Sequence, residues 1–187
     1  MFGVEGHPDF PMIVTGSSQE VAIKLIEQYY PSVKCPNAYR QYVLTKTEKE
    51  VGSHVDLKPG VKDFIKYAKE QGLKLAIASS SFMSHIKNCL TNTGLIDSFD
   101  AIVCDEDVKN GKPAPEIFEK AASKLGLKPS QCVVFEDSRN GIFGSHDANC
   151  KTVLIPDTIK PTPEIASKCD GIYTSFCEVL EYIKNPE

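Results

Sequence analysis

Residues 133–141 read VVFEDSRNG, an apolar run that ends in two adjacent carboxylates, Glu136 and Asp137. A short, wholly apolar run is typical of a strand that is buried on both faces of a parallel sheet. Such sheets bind ligands at the carboxyl ends of their strands. Because Mg²⁺ prefers oxygen ligands and usually takes one or two carboxylates, the stretch predicts a magnesium site at the tip of a strand. Helix capping by Asp137 or Ser138 is the alternative interpretation.

The rest of the chain after residue 56 repeats this alternation of short apolar runs and segments of helical period. We predict strands at residues 73–78, 101–104, 132–135, 152–155 and 172–173. Between them lie amphipathic segments; the first has Val61, Phe64, Ile65 and Ala68 on one face and Gly72 at its end. Strands that alternate with helices favour βαβ units. The sequence therefore predicts an α/β fold with a parallel sheet flanked by helices.

Polar residues also follow the strand predicted at residues 73–78. Ser79, Ser80 and Ser81 come directly after it and precede a helical segment. Their hydroxyls, together with the N–H groups of a helix that they open, form a candidate phosphate site. A serine at such a junction that only caps the helix is the alternative.

A lysine follows the next predicted strand. Lys112 lies in the segment GKPAP, residues 111–115, where two prolines restrict the chain on one side of it. An ammonium group held at a strand end suits a phosphoryl group, whose negative charge must be balanced. The alternative is a surface lysine in a proline-rich turn.

The first 56 residues differ from the rest because they look helical. Ser17 and Glu20 form a capping box before an apolar helical stripe. Residues 12–14 are the one ambiguous strand. This segment is predicted to pack as a small helical unit separate from residues 57–187.

Composition excludes several functional classes. The net charge is −4, and the lysines are interspersed with acids, so we expect no nucleic-acid partner. No run approaches the ~20 apolar residues that span a bilayer, and residues 1–10 do not resemble a signal peptide. We therefore expect no membrane association and a cytoplasmic location.

The cysteines are Cys35, Cys89, Cys104, Cys132, Cys150, Cys169 and Cys177; the odd number and the absence of a C-x-x-C pair favour free thiols. The histidines, His7, His54, His85 and His146, are dispersed and receive no chemical role.

Taken in order, AIASSS (76–81), GKPAPEIF (111–118) and VVFEDSRNG (133–141) resemble the haloacid dehalogenase (HAD) superfamily, in its β-phosphoglucomutase and sugar-phosphate phosphatase branch. The resemblance implies that Ser79 hydrogen-bonds the transferring phosphoryl group and that Lys112 neutralises it. It also implies that Asp137, with Glu136, holds Mg²⁺. Residues 1–56 would form most of a small helical cap over a core of residues 57–187, and the substrate would be a small phosphorylated metabolite.

One departure from this family is large. Its first, central strand ends in D-x-D-G-[TV], where the first Asp attacks phosphorus and forms an aspartyl-phosphate. No such motif occurs in these 187 residues. Asp105 is the nearest candidate, but Val108 and Lys109 follow its acidic triplet instead of Gly-Thr or Gly-Val, and Asp9 follows no strand. We therefore assign no nucleophile, and we expect the strands before Ser79 and at 132–135 to lack their shared central neighbour.

Three explanations for the missing strand are open. The chain begins late, which we favour; or a diverged protein fills the gap in another way; or residues 12–14 are a misplaced strand.

Our leading hypothesis is that the complete protein is a Mg²⁺-dependent phosphatase and that this chain is its inactive or truncated form. One alternative is a catalytically silent HAD-like module that binds a phosphate ligand or a protein. A phosphomutase is a second alternative. It is less favoured because Gln19 occupies the cap position at which β-phosphoglucomutases, by resemblance, carry Arg. A generic nucleotide-binding domain is disfavoured because no Gly-rich loop follows a strand. Monomer and weak dimer both remain open.

Overall fold

The computed structural model describes residues 5–51, 55–157 and 160–185. In these ranges the helices are α1 (Phe10–Val14), α2 (Gln19–Tyr29), α3 (Pro36–Val51), α4 (Val61–Glu70), α5 (Met83–Thr93), α6 (Glu116–Lys124), α7 (Arg139–Asp147), α8 (Pro163–Ala166) and α9 (Phe176–Lys184). The strands are β1 (Ala76–Ala78), β2 (Ala101–Val103), β3 (Val133–Glu136), β4 (Lys151–Leu154) and β5 (Gly171–Ile172). Short 3₁₀ turns lie at Ile96–Ser98, Asp105–Asp107 and Pro129–Gln131.

All strand pairs are parallel. β1 pairs with β2, and a second sheet has the order β3-β4-β5. The predicted α/β class, with parallel sheets flanked by helices, is confirmed. Each strand is shorter than its predicted apolar run or shifted from it by one residue, as β1 illustrates by beginning at Ala76 and not at residue 73.

β1 and β3 each have one free edge within the described residues. The Ser79 N–H donates to Val103 O, and the Ile155 N–H donates to Glu136 O, so these residues face the neighbouring strand. In a parallel ladder, alternate residues direct their backbone groups to opposite sides. The backbone groups on the free edges therefore belong to Ala76 and Ala78 in β1 and to Val133 and Phe135 in β3. Val133 is 55% exposed.

Helix α6 packs against both sheets. Its buried Ile117 and Phe118 share one apolar cluster with Ala76 of β1 and Val134 of β3. Phe135 points to the other face of β3 because successive side chains of a strand alternate, and its ring lies against those of α4 and α9. The ring centroids of Phe64, Phe135 and Phe176 are 4.9 to 5.3 Å apart. Helix α6 therefore links the two sheets on one face, and the aromatic cluster ties β3 to α4 and α9 on the other.

The helical segment before residue 52 has its own apolar cluster. Ile26, Tyr30 and Val33 are buried there, and the rings of Phe10 and Tyr39 pack against them. Its described residues form helices α1 to α3, so the ambiguous strand at residues 12–14 is wrong: these residues belong to α1. An apolar triplet alone carries no periodicity that separates a strand from a helix.

Two predicted helix starts also need correction. Helix α5 begins at Met83 and not at the serines, because the Ser79 N–H continues the ladder to Val103 and keeps the chain extended. The N-cap of α2 is Ser18 and not Ser17: the Ser18 hydroxyl accepts from the Val21 N–H at 3.3 Å.

All seven cysteines are free, as predicted, although only Cys104 and Cys150 are fully buried. His54 lies outside the described residues. Across the described parts of the chain, no helix combines the length and apolar character needed to cross a membrane.

Candidate functional site

An open cleft of about 800 Å³ separates helices α1 to α3 from the carboxyl ends of β1 and β3. The predicted site residues Ser79, Ser80, Lys112, Glu136 and Asp137 all line it. Three different loops contribute these side chains, which the fold brings together at one edge of the sheets. Phe10, Tyr39 and Arg40 line the opposite wall.

Lys112 lies at the end of the gap between β1 and β3. It is 4% exposed, its Nζ donates to Ala78 O at 3.0 Å, and it forms an ion pair with Glu136 Oε1. The Phe118 ring centroid is 4.9 Å from the same Nζ. The ammonium therefore connects the carboxyl end of β1 with that of β3. A buried cation at this point can balance the charge of a bound anion.

Glu136 uses both of its carboxylate oxygens. Oε1 faces Lys112, while Oε2 accepts from the Ser138 hydroxyl at 3.1 Å and from the Asp137 N–H at 3.3 Å. A side chain at Gly141, in the first turn of α7, would overlap the Glu136 carboxylate. Glycine is therefore required at this position so that the carboxylate can pack against the helix backbone.

Asp137 is less enclosed than its neighbour. Its side chain is 40% exposed, and its Oδ2 lies 3.5 Å from Lys58 Nζ, which is also 3.3 Å from Asp157. Burial raises the pKa of Asp137, the charge of Glu136 raises it further, and Lys58 opposes both effects. The surroundings of Asp137 therefore disfavour its charged form, and Lys58 offsets this only in part.

The donor set at this corner fits a hard divalent cation. Of the described residues that line the cleft, only Glu136 and Asp137 carry carboxylates. Within the described part of the chain no three His, Cys, Asp or Glu side chains form a metal cluster. Two carboxylates are nevertheless the usual protein contribution to Mg²⁺, whose remaining ligands are water and substrate oxygens.

The two serines after β1 have different partners. The Ser79 hydroxyl accepts from the Ser81 N–H at 3.2 Å, which leaves its own proton to donate to a ligand. The Ser80 hydroxyl donates to Gly16 O at 2.9 Å. Ser79 is therefore positioned to donate to an anion, whereas the Ser80 proton is used to hold the helical segment.

Asn140 is a residue whose role was not predicted from sequence. It is 7% exposed, and its Nδ2 donates to Thr15 O and Ser17 Oγ, each at 3.1 Å, with Ile13 O at 3.4 Å. Its partners are more than 120 residues away in sequence, so no local pattern could have indicated it. Asn140 holds the segment at residues 13–17 beside the cleft.

Asp105 binds the helical segment instead of lining the cleft. Its Oδ2 accepts from the Gln19 N–H at 3.0 Å, at the first turn of α2, and it lines a smaller, separate groove. An N-terminal helix position favours a carboxylate. Asp9 does not line the cleft either.

Comparison with known proteins identifies relatives that act on phosphate esters. The chain is 39% identical over 100 residues to hexitol phosphatase B of Escherichia coli (strain K12), which is 54% of this chain and 45% of that protein. It is 35% identical over 95 residues to the phosphorylated carbohydrates phosphatase of Thermotoga maritima, which is 51% of this chain and 44% of that protein. The chain spans about half the length of the curated relatives it matches.

The structural comparison gives the same assignment. β-Phosphoglucomutase from Clostridium difficile superposes with a TM-score of 0.77 at 26% identity, over 97% of this chain and 82% of that one. The family model described as haloacid dehalogenase-like hydrolase matches residues 13–155, which include helices α2 and α3 as well as every predicted site residue. The chain therefore belongs to the haloacid dehalogenase-like hydrolase family.

Proposed function

We propose that this chain contains the phosphate- and metal-binding residues of a Mg²⁺-dependent phosphatase that acts on a small phosphorylated metabolite of the sugar-phosphate kind. The observation that carries the proposal is the convergence of Ser79, Lys112 and the carboxylates Glu136 and Asp137 in one cleft. The names of the related hexitol and carbohydrate phosphatases support this substrate class.

In this proposal, the Ser79 hydroxyl and the Lys112 ammonium hold the oxygens of the phosphoryl group. Asp137, with Glu136, would hold Mg²⁺, and the bound ion would neutralise charge on the phosphoryl oxygens. Both effects belong to electrostatic stabilisation, which accounts for much of the catalysis of phosphoryl transfer. Lys112 contributes most because it is almost fully desolvated.

Residues 1–56 are proposed to act as a cap over the core of residues 57–187. Three polar contacts support this role, and all lie in the segment from residue 13 to residue 19: Ser80 with Gly16, Asn140 with residues 13–17, and Asp105 with Gln19. A cap of this kind excludes water from the reacting phosphate.

The proposal assigns no nucleophile to these 187 residues. Glu136 and Asp137 are the carboxylates that line the described part of the cleft, and both are assigned to the metal and to lysines. Turnover through an aspartyl-phosphate therefore requires an aspartate other than Asp137, and no other described aspartate lines the cleft. We propose that the chain by itself is inactive.

A catalytically silent phosphate-binding module is the second candidate. One observation favours it: Ala78 O and Glu136 hold the Lys112 ammonium in place and leave one of its three N–H groups for an anion, so the anion site is positioned without a nucleophile. A phosphomutase is the less favoured alternative. β-Phosphoglucomutase is a structural neighbour, but Gln19 lines the smaller groove and not the cleft.

Hydrolysis of p-nitrophenyl phosphate with MgCl₂ tests the assignment of inactivity. We expect no release of p-nitrophenol above the enzyme-free rate. Hydrolysis that Asp105→Asn abolishes, and that the exposed-site control Asp157→Asn leaves unchanged, would show that Asp105 was wrongly excluded as the nucleophile.

A further inference from the structure

The wall of the cleft opposite the phosphate-binding residues contains a cation to which the described residues offer no hydrogen bond or ion pair. Arg40, on α3, lines the cleft and is half-buried. Among the described residues, none forms a hydrogen bond or an ion pair with its guanidinium. A partly desolvated charge without a partner is unfavourable for the folded chain.

The two lysines in the cleft differ from Arg40 in this respect. Lys112 pairs with Glu136, and Lys58 pairs with Asp137 and Asp157. Because both carboxylates that line the described part of the cleft are thereby engaged, the charge of Arg40 is not balanced inside it.

Asp105 does not supply the missing partner. Burial lowers the pKa of Arg40, and the negative charge of Asp105 opposes that effect only through space. The Asp105 Oδ2 is already an acceptor for the Gln19 N–H. The guanidinium keeps its charge at any physiological pH, since arginine is not deprotonated in proteins. Its planar group of donors is suited to two oxygens of one phosphate or carboxylate.

We propose that Arg40 binds a second anionic group of the substrate, at the end opposite to the phosphoryl group held by Ser79 and Lys112. The inference rests on the proposed function and narrows it. The substrate would be a phosphate ester with a further phosphate or carboxylate, such as a sugar bisphosphate or a phosphorylated sugar acid, in preference to a phosphate of a neutral sugar. A cleft of about 800 Å³ has room for such a molecule.

Isothermal titration calorimetry with three matched ligands tests this role. In the presence of MgCl₂, fructose 6-phosphate, fructose 1,6-bisphosphate and 6-phosphogluconate are titrated into the wild-type chain, Arg40→Gln and Lys34→Gln. Lys34 is exposed and lies outside the cleft, so its variant controls for the loss of one positive charge.

We expect the wild-type chain to bind at least one of the two ligands with a second anion roughly tenfold more tightly than the monophosphate, as a charge-assisted hydrogen bond of ordinary strength allows. The better of these two ligands identifies phosphate or carboxylate as the second anion. Arg40→Gln should abolish the preference without weakening the monophosphate, and Lys34→Gln should behave as wild type. Arg40→Lys, which keeps the charge and loses the planar donors, should retain part of the preference.

Other outcomes separate the two proposals. Equal wild-type affinity for all three ligands, or an Arg40→Gln variant that weakens them all equally, overturns the role of Arg40 and leaves the phosphate site intact. If the wild-type chain binds none of the three ligands, the proposed function fails and the second anion site fails with it.

Discussion

Lys112 and Glu136 form an ion pair between the loop after β2 and the carboxyl end of β3, with 5% and 9% of their side chains exposed. Because Lys112 also donates to Ala78 O, the pair links the carboxyl ends of β1 and β3. In the proposed function, the same ammonium holds the phosphoryl group. The residue proposed to bind the ligand therefore also connects the two sheets.

Removing the charge of Lys112 while that of Glu136 remains should strongly destabilise the fold. Lys112→Met leaves the Glu136 carboxylate buried without its cation, and we expect a loss of about 3 kcal/mol in the free energy of unfolding. The double variant Lys112→Met/Glu136→Gln removes both charges and should recover a large part of that loss. Urea denaturation measures both values, with exposed Lys62→Met as the control. A single variant as stable as wild type would contradict the burial and pairing described here.

Asp137 should make the stability of the chain depend on pH and on Mg²⁺. Its pKa is raised in the folded state by burial and by Glu136, so the folded chain holds this proton more tightly than the unfolded chain does. The contribution of Asp137 to stability is then fully present below its ordinary pKa of about 4 and is lost as the pH rises through the raised value.

Two measurements test this expected fall in stability with rising pH and the proposed Mg²⁺ site. Asp137→Asn should be more stable than wild type at pH 7, and the difference should vanish as the pH is lowered to about 4. Added MgCl₂ should stabilise wild type and not Asp137→Asn, because a ligand that binds only the folded state stabilises it. Asp157→Asn is the control, since Asp157 shares Lys58 and is 64% exposed. A wild-type chain whose melting temperature ignores MgCl₂ would argue against a metal at this corner.

Asn140 should determine how firmly residues 13–17 are held beside the cleft. Asn140→Ala removes the donor to Thr15 O and to the Oγ of the buried Ser17, and a buried acceptor such as Ser17 Oγ that loses its donor costs about 1–3 kcal/mol. Hydrogen–deuterium exchange should therefore become faster at residues 13–17 and stay unchanged in β4. The matched control is Asn88→Ala, on the exposed face of α5. Unchanged exchange at residues 13–17 would mean that other contacts hold this segment.

Local sequence patterns were sufficient for the strands and for the residues at their ends. The run before Glu136 and Asp137 is apolar at every position and stops at charged residues, so both the strand and its polar tip are visible within nine residues. The expectation that a central strand is absent came from the family motif and not from local pattern, and it stays a prediction.

Contacts between distant parts of the chain could not be predicted in this way. Asn140 and Thr15 are 125 residues apart, and only the fold brings them together. The spacing of Ser17 and Glu20 predicted Ser17 as the cap of α2; the structure uses Ser18, while the Ser17 Oγ accepts from Asn140. Arg40 carried no signal either, since an arginine on a predicted helix is ordinarily solvated, and its significance depends on the cleft that the core places against it.

The measurement that tests the central claim most directly is the binding of inorganic phosphate by isothermal titration calorimetry, in MgCl₂, to wild type, Ser79→Ala and Lys112→Met/Glu136→Gln. The account predicts that wild type binds one phosphate, that loss of the Ser79 hydroxyl weakens binding about tenfold, and that the double variant shows no detectable binding. A wild-type chain that binds no phosphate, or a folded double variant that binds it as tightly as wild type, would contradict the assignment of this cleft as a phosphate site.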